Sequence, residues 1–290
     1  MEEIKTNRLI FHPKFNEVVM EISKLNIRLP PPIPQDYVDF SSLKGVDVEP
    51  IEKEAITSLN PKKEFNVLKD RKISAYDESK NKFAALEGTA YAVSHSLIIL
   101  SEEDYVPSNF ITFNFYTRSE ELAKEGKSIK YCDDPEAKSN EDYHIDRNEF
   151  LSKTVPSNSI LFIDGPLIGG QATSYANKLN SALLKKNTIP IFFVKNSLSN
   201  LVVSKIPNLK NKYNSDLHWA NNVLKIGERT CFFNYKDAYN PNNTKLFCYI
   251  KVYENTTQRV EMHPETYNNF KSMINELMNL IYYLMLVQGD

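Results

Sequence analysis

The chain has 290 residues, of which 41% are hydrophobic and 25% charged, and its formal net charge is -2. This composition excludes a wholly disordered chain, and the length accommodates one large domain or two small ones. Because the net charge is close to zero, any contact with nucleic acid has to come from a local basic patch. The three cysteines are widely spaced without a Cys-x-x-Cys pair, which argues against a disulfide framework and against a zinc site.

Two features bear on the location of the protein. The start of the sequence has no apolar signal segment, and the longest apolar run, at residues 280–287, is too short to cross a bilayer. We therefore expect a cytoplasmic protein.

The first eighty residues are typical of an appendage. Apolar residues at helical spacing between Phe15 and Leu25, preceded by Pro13, predict a helix. The proline-rich run at 30–34 cannot continue that helix and indicates an extended tether, with a proline-rich ligand as the alternative. Residues 41–82 are polar and weakly periodic. We predict a helical and extended appendage over residues 1–80.

The rest of the chain predicts a mixed sheet. Three antiparallel strands are predicted at 83–86, 91–100 and 109–117, followed by an acidic, mobile stretch and a helix at 142–153. A strand–helix–strand unit follows, and the remaining predicted elements are strands at 230–235, 246–253 and 258–262 and a helix at 267–287. This order is that of an α/β fold, a ribonuclease H-like mixed sheet with flanking helices, over residues 81–290.

The strand–helix–strand unit carries an unusual charge pattern. Its first strand, 159–163, ends at Asp164, and the 51 residues from Gly165 to Ser215 contain seven lysines but neither Asp nor Glu. A carboxylate that can hold a hard cation, beside a stretch that attracts anions, suits chemistry on a phosphate backbone. The alternative is two solvated faces of opposite charge. The predicted nucleic-acid contacts are Lys178, Lys185, Lys186, Lys195 and Lys205.

Three acids are candidates for catalysis. Glu87 and Asp164 each follow an apolar strand and precede a glycine, so on neighbouring strands they could share Mg²⁺ or Mn²⁺, which would activate a water for attack on a phosphodiester. The alternative is that both acids cap ordinary turns. Glu149 is the third candidate, on one helical face with Asp142 and Asp146, although a solvated acidic face would give the same spacing.

Other residues add little. The five histidines show no ligand pairing, and no glycine-rich phosphate loop is found, so we do not expect the chain to hydrolyse nucleotides. Trp219 could stack on a base, but packing is the alternative.

Five short motifs in order resemble those of the NurA nuclease family, the partners of the HerA translocase. The family has two strands that end in Asp-Gly, a strand that ends in a lysine, a Gly-Glu-Arg-Ser pattern after an Asp, and a late Arg-x-Glu strand. The matching segments are Phe83-Ala84-Ala85-Leu86-Glu87-Gly88, Leu161-Phe162-Ile163-Asp164-Gly165-Pro166-Leu167, Phe193-Val194-Lys195-Asn196-Ser197, Leu224-Lys225-Ile226-Gly227-Glu228-Arg229-Thr230 after Asp216, and Gln258-Arg259-Val260-Glu261-Met262.

The resemblance implies a ribonuclease H-like domain, a homodimer with a central passage, and manganese-dependent (or magnesium-dependent) cleavage of DNA ends fed by a HerA-like hexameric ATPase. By position, Glu87 and Asp164 would be metal ligands and Glu149 the helical glutamate of the family. The sequence departs from the family in having Glu87 in place of an aspartate, and the family's later Gly-Tyr-Pro segment and histidine have no counterpart before Asp290. These departures leave a second hypothesis, a catalytically degenerate subunit that binds its partner or DNA without cleaving. A third is a plain nucleic-acid-binding protein.

Overall fold

The structure, a computed structural model, describes residues 14–24, 40, 47–61, 65–100, 105–124, 126, 129–167, 173–237, 240 and 242–288. The predicted tether at 30–34 lies outside the described residues. The helices of the described part are α1 (Phe15–Lys24), α2 (Glu120–Ala123), α3 (Pro135–Thr154), α4 (Thr173–Lys185), α5 (Asp216–Val223), α6 (Pro264–Asn269) and α7 (Ile274–Gln288). The strands are β1 (Val48–Pro50), β2 (Ile56–Ser58), β3 (Lys72–Ala84), β4 (Thr89–Leu100), β5 (Tyr105–Thr117), β6 (Ile129–Tyr131), β7 (Ser159–Asp164), β8 (Ile189–Val194), β9 (Glu228–Thr230), β10 (Phe233–Lys236), β11 (Thr244–Tyr253) and β12 (Thr256–Met262).

All strands of the described part join one mixed sheet in the order β1-β10-β11-β12-β8-β7-β3-β4-β5-β6, with β9 paired to β11 and β2 to β9. The strands β3, β4 and β5 are antiparallel neighbours, and β7 and β8 run parallel to β3. The helix α4 connects β7 to β8, as parallel neighbours require. The predicted α/β fold with a mixed sheet and flanking helices is confirmed.

The strand β3 is longer than predicted. It begins at Lys72 rather than at residue 83, and the predicted domain boundary at residue 80 falls inside it. Its second half is polar and exposed, so the sequence there lacks the apolar alternation of a half-buried strand. The short strands β1 and β2, also within the first eighty residues, pair with β10 and β9 in the same sheet.

Two helical predictions are corrected. The helix α3 begins at Pro135, inside the stretch predicted to be acidic and mobile, because the Asp134 carboxylate accepts the backbone N–H groups of Glu136 and Ala137 at 3.0 Å each. The single helix predicted at 267–287 is two helices, α6 and α7, separated by a 3₁₀ turn at Lys271–Met273. The predicted helix near Phe15 is confirmed as α1, and its apolar residues are exposed.

The sheet is covered unequally. On β7, β8, β11 and β12 one face packs under α6 and α7 and the other face under α3, α4 and α5. On β3, β4 and β5 the helix α3 covers one face, while the opposite face carries Phe83, Ile111 and Phe113, which are 56%, 69% and 60% exposed. We call this uncovered apolar surface the bare face. No helix in the described ranges has the length and apolarity that a membrane span requires.

Trp219 lies in the core, fully buried against Phe40 and Tyr249. The structure therefore supports packing rather than base stacking for this residue.

A buried imidazole under α3 gives the first prediction. The Nδ1 atom of His95 lies 2.7 Å from the Tyr76 hydroxyl, which donates to Glu78 Oε2 at 2.7 Å. Burial, and secondarily the guanidinium of Arg147, lowers the pKa of His95 from 6.5 to about 4. Between pH 6.5 and about 4, His95 is protonated in the unfolded chain but stays neutral in the folded protein. The free energy of unfolding therefore decreases as the pH falls through this range. We expect the melting temperature to fall on acidification, and to fall less in His95→Phe. Equal losses in both proteins would contradict this assignment.

Candidate functional site

Two carboxylates stand at one level on the neighbouring strands β3 and β7, at the point where β7 ends. The last parallel pair of these strands is Tyr76 with Ile163, so the next residues, Asp77 and Asp164, stand at the same level. Residues paired in a sheet project to the same face, and neighbouring strands are about 4.8 Å apart. The two acids therefore project side by side, on the face that α7 covers further down the strands.

Asp164 is held by its neighbours. It is half-buried, and its Oδ2 atom lies 2.7 Å from the Nζ atom of Lys195, which directly follows β8. The next residue, Gly165, has a φ of +107° and donates its N–H to the carbonyl of Phe193 at 2.8 Å. Since that backbone conformation favours glycine, the Asp-Gly order has a local structural reason.

The acids belong to a line of polar side chains that crosses the four strands β7, β3, β4 and β5 and includes Lys195, the residue after β8. Asp77 pairs with Ser96 on β4, Ser96 pairs with Asn109 on β5, and the Ser96 hydroxyl donates to Asn109 Oδ1 at 2.8 Å. We call Lys195, Asp164, Asp77, Ser96 and Asn109 the polar row. With two carboxylates and one ammonium its formal charge is negative, so it favours a cation, and its hydroxyl and amide can contact a polar ligand that lies along it.

The structure does not bring Glu87 to this row. Glu87 lies in the connection between β3 and β4, and Ala84, the last residue of β3, comes seven positions after Asp77. At the rise of a strand this distance is about 23 Å. The predicted meeting of Glu87 and Asp164 is therefore wrong, because β3 keeps pairing with β4 beyond the end of β7. The glycine after Glu87 serves the turn, since a Cβ atom on Gly88 would stand 2.3 Å from the carbonyl oxygen of Tyr116.

Glu149 is also remote from Asp164. It is 58% exposed and forms an ion pair with Lys153 on the same helix. Asp142, on the same helical face, accepts a hydrogen bond from Tyr116 of β5 at 2.8 Å, so this acidic face lies over β5. The strands β4 and β3 stand between β5 and β7.

The five predicted nucleic-acid lysines do not form one patch. Lys195 belongs to the polar row, and Lys178 is exposed on α4, with its Nζ atom 5.9 Å from the centre of the Tyr175 ring. Lys186 donates to the carbonyl of Val155 at 2.7 Å, near the start of β7 and so at the opposite end of that strand from Asp164. Lys185 is the neighbour of Lys186 in the sequence. Lys205 lies 2.9 Å from Asp47 in an ion pair.

Sequence reasoning missed Asp77. The available signal was the segment Ile73-Ser74-Ala75-Tyr76, an apolar-rich strand that ends in an acid as the β7 strand does. The charged residues that follow Asp77 obscure this pattern and give the stretch 41–82 its polar composition. Among the described residues no group of three or more His, Cys, Asp or Glu side chains is close enough to hold a metal. The pair fits Mg²⁺ or Mn²⁺ nonetheless, since such ions bind through one or two carboxylates together with substrate phosphates.

Solved structures similar to this chain are those of NurA proteins. The NurA nuclease from Sulfolobus solfataricus has 11% identity and a TM-score of 0.46, with 73% of this chain and 73% of that chain covered. A NurA bound to dAMP and manganese has 6% identity and a TM-score of 0.32, with 73% and 81% covered. At such low scores neither likeness supports a conclusion about this chain.

Comparison at the level of sequence gives a clearer result. No curated protein sequence matches the chain. Residues 62–285, however, match the family model described as the NurA domain. That span holds the strand pair that carries Asp77 and Asp164, and it makes up most of the 290 residues. The chain therefore belongs to the NurA domain family.

Proposed function

We propose that the protein is a metal-dependent DNA nuclease, in which Asp77 and Asp164 hold Mn²⁺ or Mg²⁺. The observation that carries the proposal is the position of the two carboxylates at one level of neighbouring parallel strands, in a chain of the NurA domain family. Asp164 ends β7, and Asp77 lies at the same level inside β3. In open α/β sheets, ligands bind outside the carboxyl ends of the strands, which is where Asp164 lies.

The remaining polar row has a function in this proposal. A bound ion would polarise a phosphoryl oxygen and activate a water. The Lys195 ammonium, next to Asp164, can donate a hydrogen bond to a phosphate oxygen of the DNA strand that the ion contacts. Ser96 and Asn109 continue the row away from the ion, where they can contact the sugar-phosphate backbone without reading bases.

The direct test combines calorimetry with a cleavage assay. The parent protein is expected to bind Mn²⁺ and to cut labelled single-stranded or duplex DNA only when the metal is present. An Asp164→Asn variant should lose both properties. Cleavage that persists in this variant, or in the presence of a chelator, would contradict the proposal.

One observation favours the second hypothesis, a degenerate subunit without nuclease activity. The Lys195 ammonium already neutralises Asp164, and a metal would have to displace it or bind beside it. A protein of this kind would bind DNA or its partner, yet calorimetry would show no uptake of Mn²⁺. The same titration therefore separates the two hypotheses.

The bare face supports a homodimer as part of the proposal. Phe83, Ile111 and Phe113 form an exposed apolar surface of the kind that marks an interaction site.

The double substitution of Ile111 and Phe113 by Asp is expected to weaken self-association by at least about 100-fold. Light scattering would show the parent at twice the mass of one chain and the variant at one. Ile226 is exposed and precedes β9, which pairs with β11 on the far side of the sheet from β3, β4 and β5, so Ile226→Asp should remain dimeric. A monomeric parent would contradict the dimer. A HerA-like hexameric ATPase is the proposed partner of that dimer.

A further inference from the structure

A group of buried charges on β11, β12 and α5 contacts the chain segments that follow Asp164 and Lys195. It consists of Lys245, Arg259 and Glu261, which are 6%, 4% and 0% exposed, together with the fully buried Asp216. We call these four residues the buried charge cluster. Burial of charges is costly unless they are paired and hydrogen-bonded, and the proposed chemistry uses none of the four.

Glu261 joins this cluster to the turn that follows Asp164. Its Oε1 atom contacts Lys245 Nζ at 2.6 Å and Arg259 Nε at 2.7 Å. Its Oε2 atom accepts the backbone N–H of Leu167 at 2.9 Å. Leu167 is three residues after Asp164 and its side chain is buried. Glu261 therefore fixes the backbone at Leu167, just after the turn at Gly165.

Arg259 joins the cluster to the segment that follows Lys195. Its Nη1 atom donates to the hydroxyl of Ser197 at 3.3 Å and to that of Ser199. Ser197 and Ser199 come two and four residues after Lys195. Because Arg259 and Glu261 are two residues apart on β12, one strand holds the segments that follow both Asp164 and Lys195.

Asp216 completes the anchor of the second segment. Its carboxylate accepts the backbone N–H groups of Leu201 at 2.7 Å and Val203 at 2.8 Å, and also the hydroxyl of Tyr249 at 2.9 Å. The chain after β8 is thus attached at both its beginning and its middle, and the direction in which it leaves Lys195 is fixed.

We propose that Glu261 and Arg259 are positioning residues that set the geometry of the Asp164–Lys195 pair by fixing the backbone segments that follow each of them. The inference rests on the proposed function in so far as Asp164 binds a metal. Neither residue need touch the metal or the DNA. Side chains that orient metal ligands typically change metal affinity by 10–100-fold when they are replaced.

A matched control exists elsewhere in the chain. Glu52 contacts Arg229 Nη1 at 2.7 Å and accepts the backbone N–H of Phe232 at 2.9 Å, so it has the same kinds of partner as Glu261. It lies at the end of the sheet that holds β1, β2 and β9, away from Asp164. Glu52→Gln therefore removes a comparable ion pair without reaching the Asp164 turn.

The test compares Glu261→Gln with Glu52→Gln. Both variants are expected to melt at lower temperature than the parent. Only Glu261→Gln should weaken Mn²⁺ binding, by about 10–100-fold, and should speed amide exchange in the peptide that spans 163–167. Equal exchange in that peptide for parent and Glu261→Gln would overturn the inference, and so would an equal loss of Mn²⁺ affinity in the two variants.

A second variant separates the two segments. Arg259→Lys keeps a cation beside Glu261 but removes the planar fork that reaches the two serines, so exchange should rise at 195–200 and stay unchanged at 163–167. A rise in neither segment would also overturn the inference. If the parent does not take up Mn²⁺, the proposed function fails, while the exchange measurements still decide whether these residues position the two segments.

Discussion

Replacement of Asp77 by asparagine is expected to weaken Mn²⁺ binding and DNA cleavage by at least about 100-fold, more than the replacement of a group that only orients a metal ligand. The amide keeps the shape of the side chain but removes the negative charge that a hard cation requires. Asp77 is exposed and its carboxylate accepts a hydrogen bond within the described structure only from the adjacent N–H of Glu78, at 2.8 Å, so the fold should survive the change. Calorimetry with Mn²⁺ and a cleavage assay measure the two effects.

The matched control is Glu87→Gln. Glu87 and Asp77 belong to the same hairpin. The sequence pattern predicts Glu87 as the metal ligand beside Asp164, whereas the register of β3 and β7 places Asp77 there. We expect Glu87→Gln to bind Mn²⁺ and to cut DNA like the parent. The opposite result, a silent Asp77→Asn and an inactive Glu87→Gln, would refute the site assigned here.

Arg229→Ala is expected to lower the free energy of unfolding by about 3–5 kcal/mol, the cost of leaving a buried ion pair without one partner. Arg229 is 1% exposed and contacts Glu52 through both terminal nitrogens at 2.7 Å and 3.1 Å. It also donates to the Thr230 carbonyl at 2.9 Å and to Asn275 Oδ1 at 3.0 Å. The side chain thus connects β9, the segment after β1 and the start of α7. Urea denaturation would measure the loss.

Arg118→Ala provides the comparison for this effect. Arg118 is exposed and donates to the carbonyl of Asp133 at 2.7 Å, and surface changes of this kind usually alter stability by no more than about 0.5 kcal/mol. Should Arg229→Ala prove no more harmful than Arg118→Ala, the buried pair would not stabilise the protein in the way argued here. A loss of cleavage without loss of stability would instead place Arg229 in the site.

The sequence predicted best where burial is complete. The strands β7 and β8 are apolar runs bounded by turn residues, because both of their faces lie in the core. The parallel pairing of β7 and β8 followed from the helix between them, and Asp164 followed from the end of β7. These predictions need only local pattern and the geometry of a crossover.

The sequence predicted poorly where pairing continues without burial. The second half of β3 is polar and is held by its hydrogen bonds to β4 and by contacts of its lysines with α3, such as that of Lys80 with Ser139 at 2.6 Å. The polar second half has no local strand pattern, and it separates the apolar-rich segment at the beginning of β3 from the strand predicted at 83–86. The beginning of β3 was therefore missed, and with it Asp77. The polar row could not be found either, because it depends on the registers of strands that are far apart in sequence.

The unequal covering of the sheet has a consequence for how the molecule opens. Within the described ranges, the strands β3, β4 and β5 have a helix on one side alone, whereas β7, β8, β11 and β12 lie between helices on both sides. Each covered face adds apolar contacts that resist local unfolding, so cooperative opening should begin in the first group of strands and spare the second. Since β3 supplies Asp77 and β7 supplies Asp164, the boundary between a labile and a durable part of the protein runs between the two acids.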